Sequence, residues 1–302
     1  PPQSDAQCLD RVQEELTTSD LSHCLSLPLF RVLTRLVSKR SRIPKSCGNA
    51  PVVGRRTSMA QWTDLLDSGA HLAIAEAERF RGATAPNPPV GAAGWDEAGN
   101  LLGVAAHTRA GLPHAEICLI RLLEERGVLN RLATVFVTLE PCNHVGRTGP
   151  CTDALSRTPV KDVWFGVVDP NQHVAGGGAE RLNRHGVHAQ QVPPGEVRDD
   201  CIRLIAPFHK WSLSGLPFVT LKTAHRREEQ DLWAAMIPPQ GGRTFTSESS
   251  LQTAHELRRR ADAVLTGSGT VMADLPRFTV RRVDDHVSTK RRLVVLDRRG
   301  RV

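Results

Sequence analysis

No run of eighteen or more apolar residues occurs anywhere in the 302 residues, so no segment reads as a membrane span. A basic start leading into an apolar core and a small-residue cleavage site is also missing, so a secretory leader is not expected. A reducing, cytoplasmic setting follows from both. Cysteine is sparse and odd in number, with Cys8, Cys24, Cys47, Cys118, Cys142, Cys151 and Cys201 scattered over a chain too long to need staples. Free thiols and metal ligands are the expected roles, rather than a disulfide framework. At 24% charged residues and a mean hydropathy of -0.28, the rest is ordinary globular composition, and the length allows two domains with real cores.

A basic excess is missing where it would matter most. Basic and acidic residues number nine and five over 1–58, eighteen and 21 over 59–251, and twelve and six over 252–302. The net +7 therefore sits at the two ends, and the slightly acidic middle is no groove for a phosphate backbone. Of the 39 basic residues 33 are Arg, which reads as the codon usage of a GC-rich genome. Nucleic acid and membrane are not expected as partners; a small molecule is, with homo-oligomerisation left open.

Residues 1–58 show no sustained helical or strand period and read as a disordered or mis-assigned extension; Asp5, Asp10, Glu14 and Glu15 argue against a targeting segment. An amphipathic pattern begins after Met59. Leu65, Leu66, Leu72, Ile74, Ala75 and Phe80 predict a helix over 62–80. APNPPVG marks a turn, and VGAAGW and LLGVAAH flank the hairpin signal DEAGN. A helix fits His114 to Glu125, then a strand at 133–139, a helix at 152–157, a strand at 163–169, a helix at 178–185 and a strand at 187–192. This alternation predicts a layered α/β fold with much of its sheet parallel, whose ligands bind at the carboxyl ends of strands. A helix with Pro207 inside it spans 196–211. A second α/β unit follows from 216, with strands at PFVTLKTA, ADAVLT and RRLVVLD, a helix at 248–259 and a GSGT turn. Boundaries are placed at 59–195, a linker helix at 196–215, and a partial second unit at 216–302.

Between the strand at 133–139 and the next helix stands LEPCNHVGRTGPC. Catalytic zinc wants three ligands from His and Cys plus an open position. His114, Cys142 and Cys151 supply that set, and two thiolates with a neutral imidazole cancel the charge of the ion. Pro113 and Pro150 fit helix first turns, where no hydrogen bond is lost. Glu116, two residues past His114, is the non-ligand carboxylate that can shuttle a proton. His-x-Glu followed by Pro-Cys and a second Cys is the zinc deaminase signature. The thiols are normally two residues apart; here eight separate them. A closed structural site would want a fourth ligand; Cys118 and Cys201 are read as core.

The spacer makes the motif specific. APNPPVG, HTRAGLPHAE, TLEPCNHVGRTGPCTDAL and VVDPNQHVAGGGAERL, in order over 62–195, resemble the deaminase half of the bifunctional riboflavin-biosynthesis deaminase/reductase family. That resemblance implies a cytidine-deaminase-like three-layer α/β/α domain acting on a pyrimidine ribosyl phosphate. It carries zinc to His114, Cys142 and Cys151 and proton transfer to Glu116, and it places Asn87, His107, His144, Arg147, Asp169 and Asn171 around the substrate. Arg147 also suits bidentate phosphate recognition. Gly176 to Gly178 read as a helix entrance turn rather than a dinucleotide fingerprint.

PFVTLKTA and ADAVLTGSGTVMADLPRFTVR resemble the start of the same family's NADPH-dependent reductase domain, which is similar to dihydrofolate reductase. Lys222, Thr266, Gly267, Ser268, Gly269, Thr270 and Asp274 fall on its substrate and cofactor positions. HRREEQDLW replaces the family's Ser-Leu-Asp-Gly turn, and Val302 precedes its later glycine-rich loops. Reduction by this chain alone is therefore not expected. Two other readings stand beside deamination of the pyrimidine phosphate: a zinc deaminase of another base such as cytidine, and an inactive, zinc-stabilised assembly protein.

Overall fold

The computed structural model describes residues 64–143, 149–171, 177–225, 246–286 and 291–302. The expected extension 1–58, and His144 and Arg147, lie outside them. Within the described residues, helix α1 (Asp64–Arg79) leads into β1 (Gly91–Trp95) and β2 (Leu101–Ala106). There follow α2 (Ala115–Glu125), β3 (Thr134–Leu139), α3 (Cys151–Ser156), β4 (Asp162–Val167), α4 (Gly178–Arg184), β5 (His188–Gln191) and α5 (Glu196–Ser214). These strands form one sheet ordered β2-β1-β3-β4-β5. The β1–β2 hairpin is antiparallel and β1 is antiparallel to β3, while β3, β4 and β5 run parallel, in line with the expected hairpin and a sheet that is in large part parallel.

The hairpin turn is organised by Asp96, whose Oδ1 accepts from the backbone N–H groups of Ala98 and Asn100 at 3.0 and 2.8 Å. The Asn100 amide and the Arg131 guanidinium also donate to it. The Asn100 side chain, foremost among these donors, holds the carboxyl down at about 2. A depressed pKa stabilises the fold fully above the unfolded value of about 3.9, and the effect is lost as pH falls towards 2. The Arg131 partner is half exposed, which limits the gain, so Asp96→Ala should lower urea stability by about 1 kcal/mol at neutral pH. The difference from wild type should shrink at pH 3.

Three layers follow from the periodicities. Helices α1 and α5 cover one face of the sheet, and α2, α3 and α4 the other. The second face holds the main apolar core, with Leu119 and Leu123 of α2, Val135 and Val137 of β3, Val163 of β4 and Leu182 of α4 all buried. On the first face the buried stripe of α1 is Leu66, Ala70, Ala73 and Ala77, spaced by four, three and four residues, whereas Leu72 is exposed. Small residues win because the helix lies almost on the strand: a Cβ added at Gly91 would stand 2.0 Å from the Ala73 carbonyl oxygen. Gly91→Ala must push α1 off the sheet, a loss of about 3 kcal/mol in denaturant unfolding.

The C-terminal part contains α6 (Glu248–Arg260), β6 (Ala263–Gly267), α7 (Ser268–Asp274) and β7 (Arg292–Leu296), with β6 and β7 paired in parallel. Two expectations are corrected here. PFVTLKTA is not a strand: 216–225 joins no ladder among the described residues, and Val219 and Leu221 are more than 70% exposed. An apolar, β-branched run becomes a strand only where a neighbour offers hydrogen bonds. GSGT is not a turn either, because Gly267 caps α7 and Ser268 begins it. The linker helix runs three residues beyond Trp211, to Ser214.

Candidate zinc and substrate site

The site lies beyond the carboxyl ends of β3 and β4. His114 is the N-cap residue of α2, in extended conformation, and Cys151 opens α3 directly after Pro150. Both prolines thus stand just outside the helices rather than in their first turns. Cys142, three residues past β3, accepts the Cys151 backbone N–H on its Sγ at 3.3 Å, and its carbonyl accepts the Thr152 N–H. The three donor atoms converge: Cys142 Sγ and Cys151 Sγ stand 3.6 and 3.3 Å from His114 Nδ1. Zinc bonds of about 2.0–2.1 Å to nitrogen and 2.3 Å to sulfur, set tetrahedrally, would hold N and S about 3.6 Å apart. The donor set fits the ion in type, number and spacing.

Its electrostatics point the same way. The Cys142 thiol is lowered to about 4, chiefly by its hydrogen bond with Cys151 and against the cost of burial. Cys151 is pushed strongly up by the neighbouring Cys142 thiolate and by burial. His114 is raised, first by its bond to Cys142. Two adjacent sulfurs, one buried and one half-buried, do not readily both ionise unless a cation lies between them.

Glu116 is 3% exposed, and burial, with the Cys142 charge second, pushes its carboxyl up to about 7. It shares with His114 and Cys142 the lining of a cavity of about 180 Å³. Asn87 and His107 stand on the same lining, and so do Asp169 and Asn171. His107 is almost fully buried; its Nδ1 meets the Pro113 carbonyl at 3.0 Å and its Nε2 the Asn87 amide at 3.4 Å. Burial lowers its pKa, with His114 adding to the effect, so the ring is a neutral link between Asn87 and the segment entering His114. The Asn171 N–H donates to Asp169 Oδ1 at 2.9 Å, a local turn that holds both at the end of β4.

The structure thus brings together eight of the ten residues expected at the deaminase site. The reductase-type residues lie elsewhere: Thr266 and Gly267 end β6, Ser268, Gly269, Thr270 and Asp274 lie on α7, and Lys222 is on the unpaired segment. Buried Ser268 accepts from the Arg301 guanidinium at 2.8 Å. Cys201 is core as expected, but Cys118 is half-buried, its thiol 3.5 Å from the Pro113 carbonyl.

A family model for the cytidine and deoxycytidylate deaminase zinc-binding region matches residues 66–167. One for the RibD C-terminal domain matches residues 234–302. Riboflavin biosynthesis protein RibD of Corynebacterium ammoniagenes is 35% identical over 241 residues, 78% of this chain and 67% of that protein. The chain belongs to the RibD family. The RibD protein of Aquifex aeolicus is 39% identical over 213 residues, 70% of this chain and 56% of its own length. A solved Thermotoga maritima structure, described as a diaminohydroxyphosphoribosylaminopyrimidine deaminase/5-amino-6-(5-phosphoribosylamino)uracil reductase, is 32% identical with a TM-score of 0.67. That match covers 78% of this chain and 64% of the other. The chain spans only 51–65% of the length of the Aquifex protein and six other RibD relatives.

Two polar or aromatic positions of the cavity lining, Glu140 and Phe208, are not among those expected from the sequence. Glu140 lines the cavity, and its Oε1 accepts the Ala179 N–H at 3.0 Å, tying the residue before Pro141 to the start of α4. Arg181 of α4 in turn pairs with Asp153 of α3 at 2.6 Å. Gly178 explains part of the triple glycine, since a Cβ there would stand 2.1 Å from the Pro141 carbonyl oxygen. Gly178→Ala should displace the Cys142 segment and weaken zinc about 10–100-fold in chelator competition. The other residue passed over is Phe208 of α5; its only signal was the proline before it.

Proposed function

We propose that this chain is a zinc-dependent hydrolytic deaminase of 2,5-diamino-6-(5-phosphoribosylamino)pyrimidin-4-one, acting in riboflavin biosynthesis. The observation that carries the reading is the convergence of His114, Cys142 and Cys151, with buried Glu116 sharing one cavity lining with His114 and Cys142. His114, Cys142 and Cys151 would hold the ion, which when bound supplies the Lewis acidity that makes water reactive at neutral pH. Glu116 takes the proton of the attacking water and returns it to the departing amine. The neutral His107 ring fixes Asn87, and Asp169 and Asn171 accept from or donate to the base. A volume of about 180 Å³ suits a heterocycle, being below the roughly 300–1,000 Å³ of drug-sized pockets. The ribosyl phosphate would then extend outside it, with His144 and Arg147 as its proposed partners.

The proposed division assigns 59–195 to deamination, 196–215 to the linker and 216–302 to the reductase-type part, with Lys222 and the 266–274 stretch as NADPH and substrate candidates. Within the reductase-type part, Lys222 stands on a segment that joins no ladder among the described residues. No helix among the described residues is long and apolar enough to cross a membrane, which is compatible with the proposed cytoplasmic site of action. Ammonia release from the diaminopyrimidine ribosyl phosphate, with cytidine in parallel, tests the substrate. Release from the phosphate alone supports the reading, and release from cytidine alone overturns it.

A further inference from the structure

Pro207 lies inside α5 and has no N–H to donate, so the Arg203 carbonyl one turn earlier loses its helical partner. The lost bond is supplied from another element. Arg81 Nη2, on the turn after α1, donates to the Arg203 and Leu204 carbonyls, both at 2.6 Å. Arg81 is itself held by Glu78, Nε to Oε2 at 3.2 Å, and Glu78 also pairs with Arg260 of α6 at 2.7 Å.

Each end of this clamp leads into the cavity. On the α5 side, the residue after Pro207 is Phe208, the one Phe, Tyr or Trp among the described lining residues. On the other side, the turn carrying Arg81 continues to Thr84, whose carbonyl accepts the Asn87 N–H at 2.9 Å, and Asn87 also lines the cavity. Arg81 therefore ties the wall that bears Phe208 to the wall that bears Asn87. Polar groups on the lining can read the edges of a base, whereas an aromatic ring offers apolar contact and stacking to its face.

We propose that Phe208 is a specificity-determining contact for the planar pyrimidine, and that Arg81 is a positioning residue that sets its place by capping the Arg203 carbonyl freed at Pro207 together with the adjacent Leu204 carbonyl. The inference rests on the deaminase reading for its substrate, but its logic needs only a planar ligand in the cavity. Removing the ring while keeping apolar bulk, as in Phe208→Leu, raises KM for the pyrimidine ribosyl phosphate about tenfold and leaves kcat nearly unchanged. Arg81→Met shifts KM in the same direction, and Arg81→Lys, which keeps a donor, recovers part of the loss.

The test uses the full chain with zinc content and melting temperature checked for each variant. Ammonia kinetics are measured, with calorimetric binding of 5-amino-6-(5-phosphoribosylamino)uracil as a readout that needs no turnover. A rise in KM and a matching loss of product affinity in Phe208→Leu and Arg81→Met, at wild-type zinc content, support the proposal. Wild-type KM and affinity in a folded, zinc-loaded Phe208→Leu overturn the contact. A fall in melting temperature or kcat without a KM shift in Arg81→Met reduces Arg81 to a structural role and overturns its positioning role. If wild type binds the uracil compound but releases no ammonia, the deaminase reading fails while the binding arm still decides Phe208.

Discussion

Glu116→Gln is expected to keep its zinc and lose about 10²–10⁴-fold of its ammonia release, the usual worth of a positioned general acid/base. The amide has nearly the same shape, so the wall formed with His114 survives, but it cannot accept the proton of water or return one to an amine. Its surroundings make the loss specific. The carboxyl is buried on the lining it shares with His114 and Cys142, and burial raises it above its ordinary value. Among the described lining residues the other two carboxylates are already engaged, Glu140 accepting from the Ala179 backbone and Asp169 from that of Asn171. Ammonia kinetics with metal analysis on the same sample check the expectation. Activity within tenfold of wild type at full zinc content would move the proton-transfer role to another group.

Cys142→Ser carries the second large effect, a protein that neither retains zinc through gel filtration nor turns over. The hydroxyl is a poor anionic donor, and it removes the partner that draws His114 and the Cys151 backbone N–H together. Zinc that binds only the folded state also stabilises it, by about 2.7 kcal/mol at a hundredfold excess over Kd. Chelation of the wild type should therefore lower its melting temperature, by about 2–4 °C for each kcal/mol lost. Cys142→Ser should melt like the chelated wild type and fail to respond to added zinc. A variant that still binds one zinc per chain with wild-type affinity would remove Cys142 from the ligand set.

Most of this site could be read from the chain because its chemistry is local in sequence. His114 and Glu116 sit two apart at a helix start, and Cys142 and Cys151 bracket one loop, so order and flanking elements predict their convergence. The hairpin was legible for the same reason, with DEAGN between two short apolar strands and Asp96 organising the turn. What escaped depends on distant partners. Glu140 acts through α4, Phe208 of α5 reaches the cavity although it lies more than sixty residues after Cys142, and the burial of Ala73 over larger neighbours follows from the approach of Gly91. PFVTLKTA has the composition of a strand, but composition cannot supply the ladder it lacks here.

The most direct test of hydrolytic deamination is to run the zinc-loaded enzyme on the diaminopyrimidine ribosyl phosphate in heavy-oxygen water and weigh the product. The account predicts one heavy oxygen at the ring carbon that lost its amine, with ammonia in equal amount. Ammonia without ring label, or no conversion by folded, zinc-loaded protein, would contradict it.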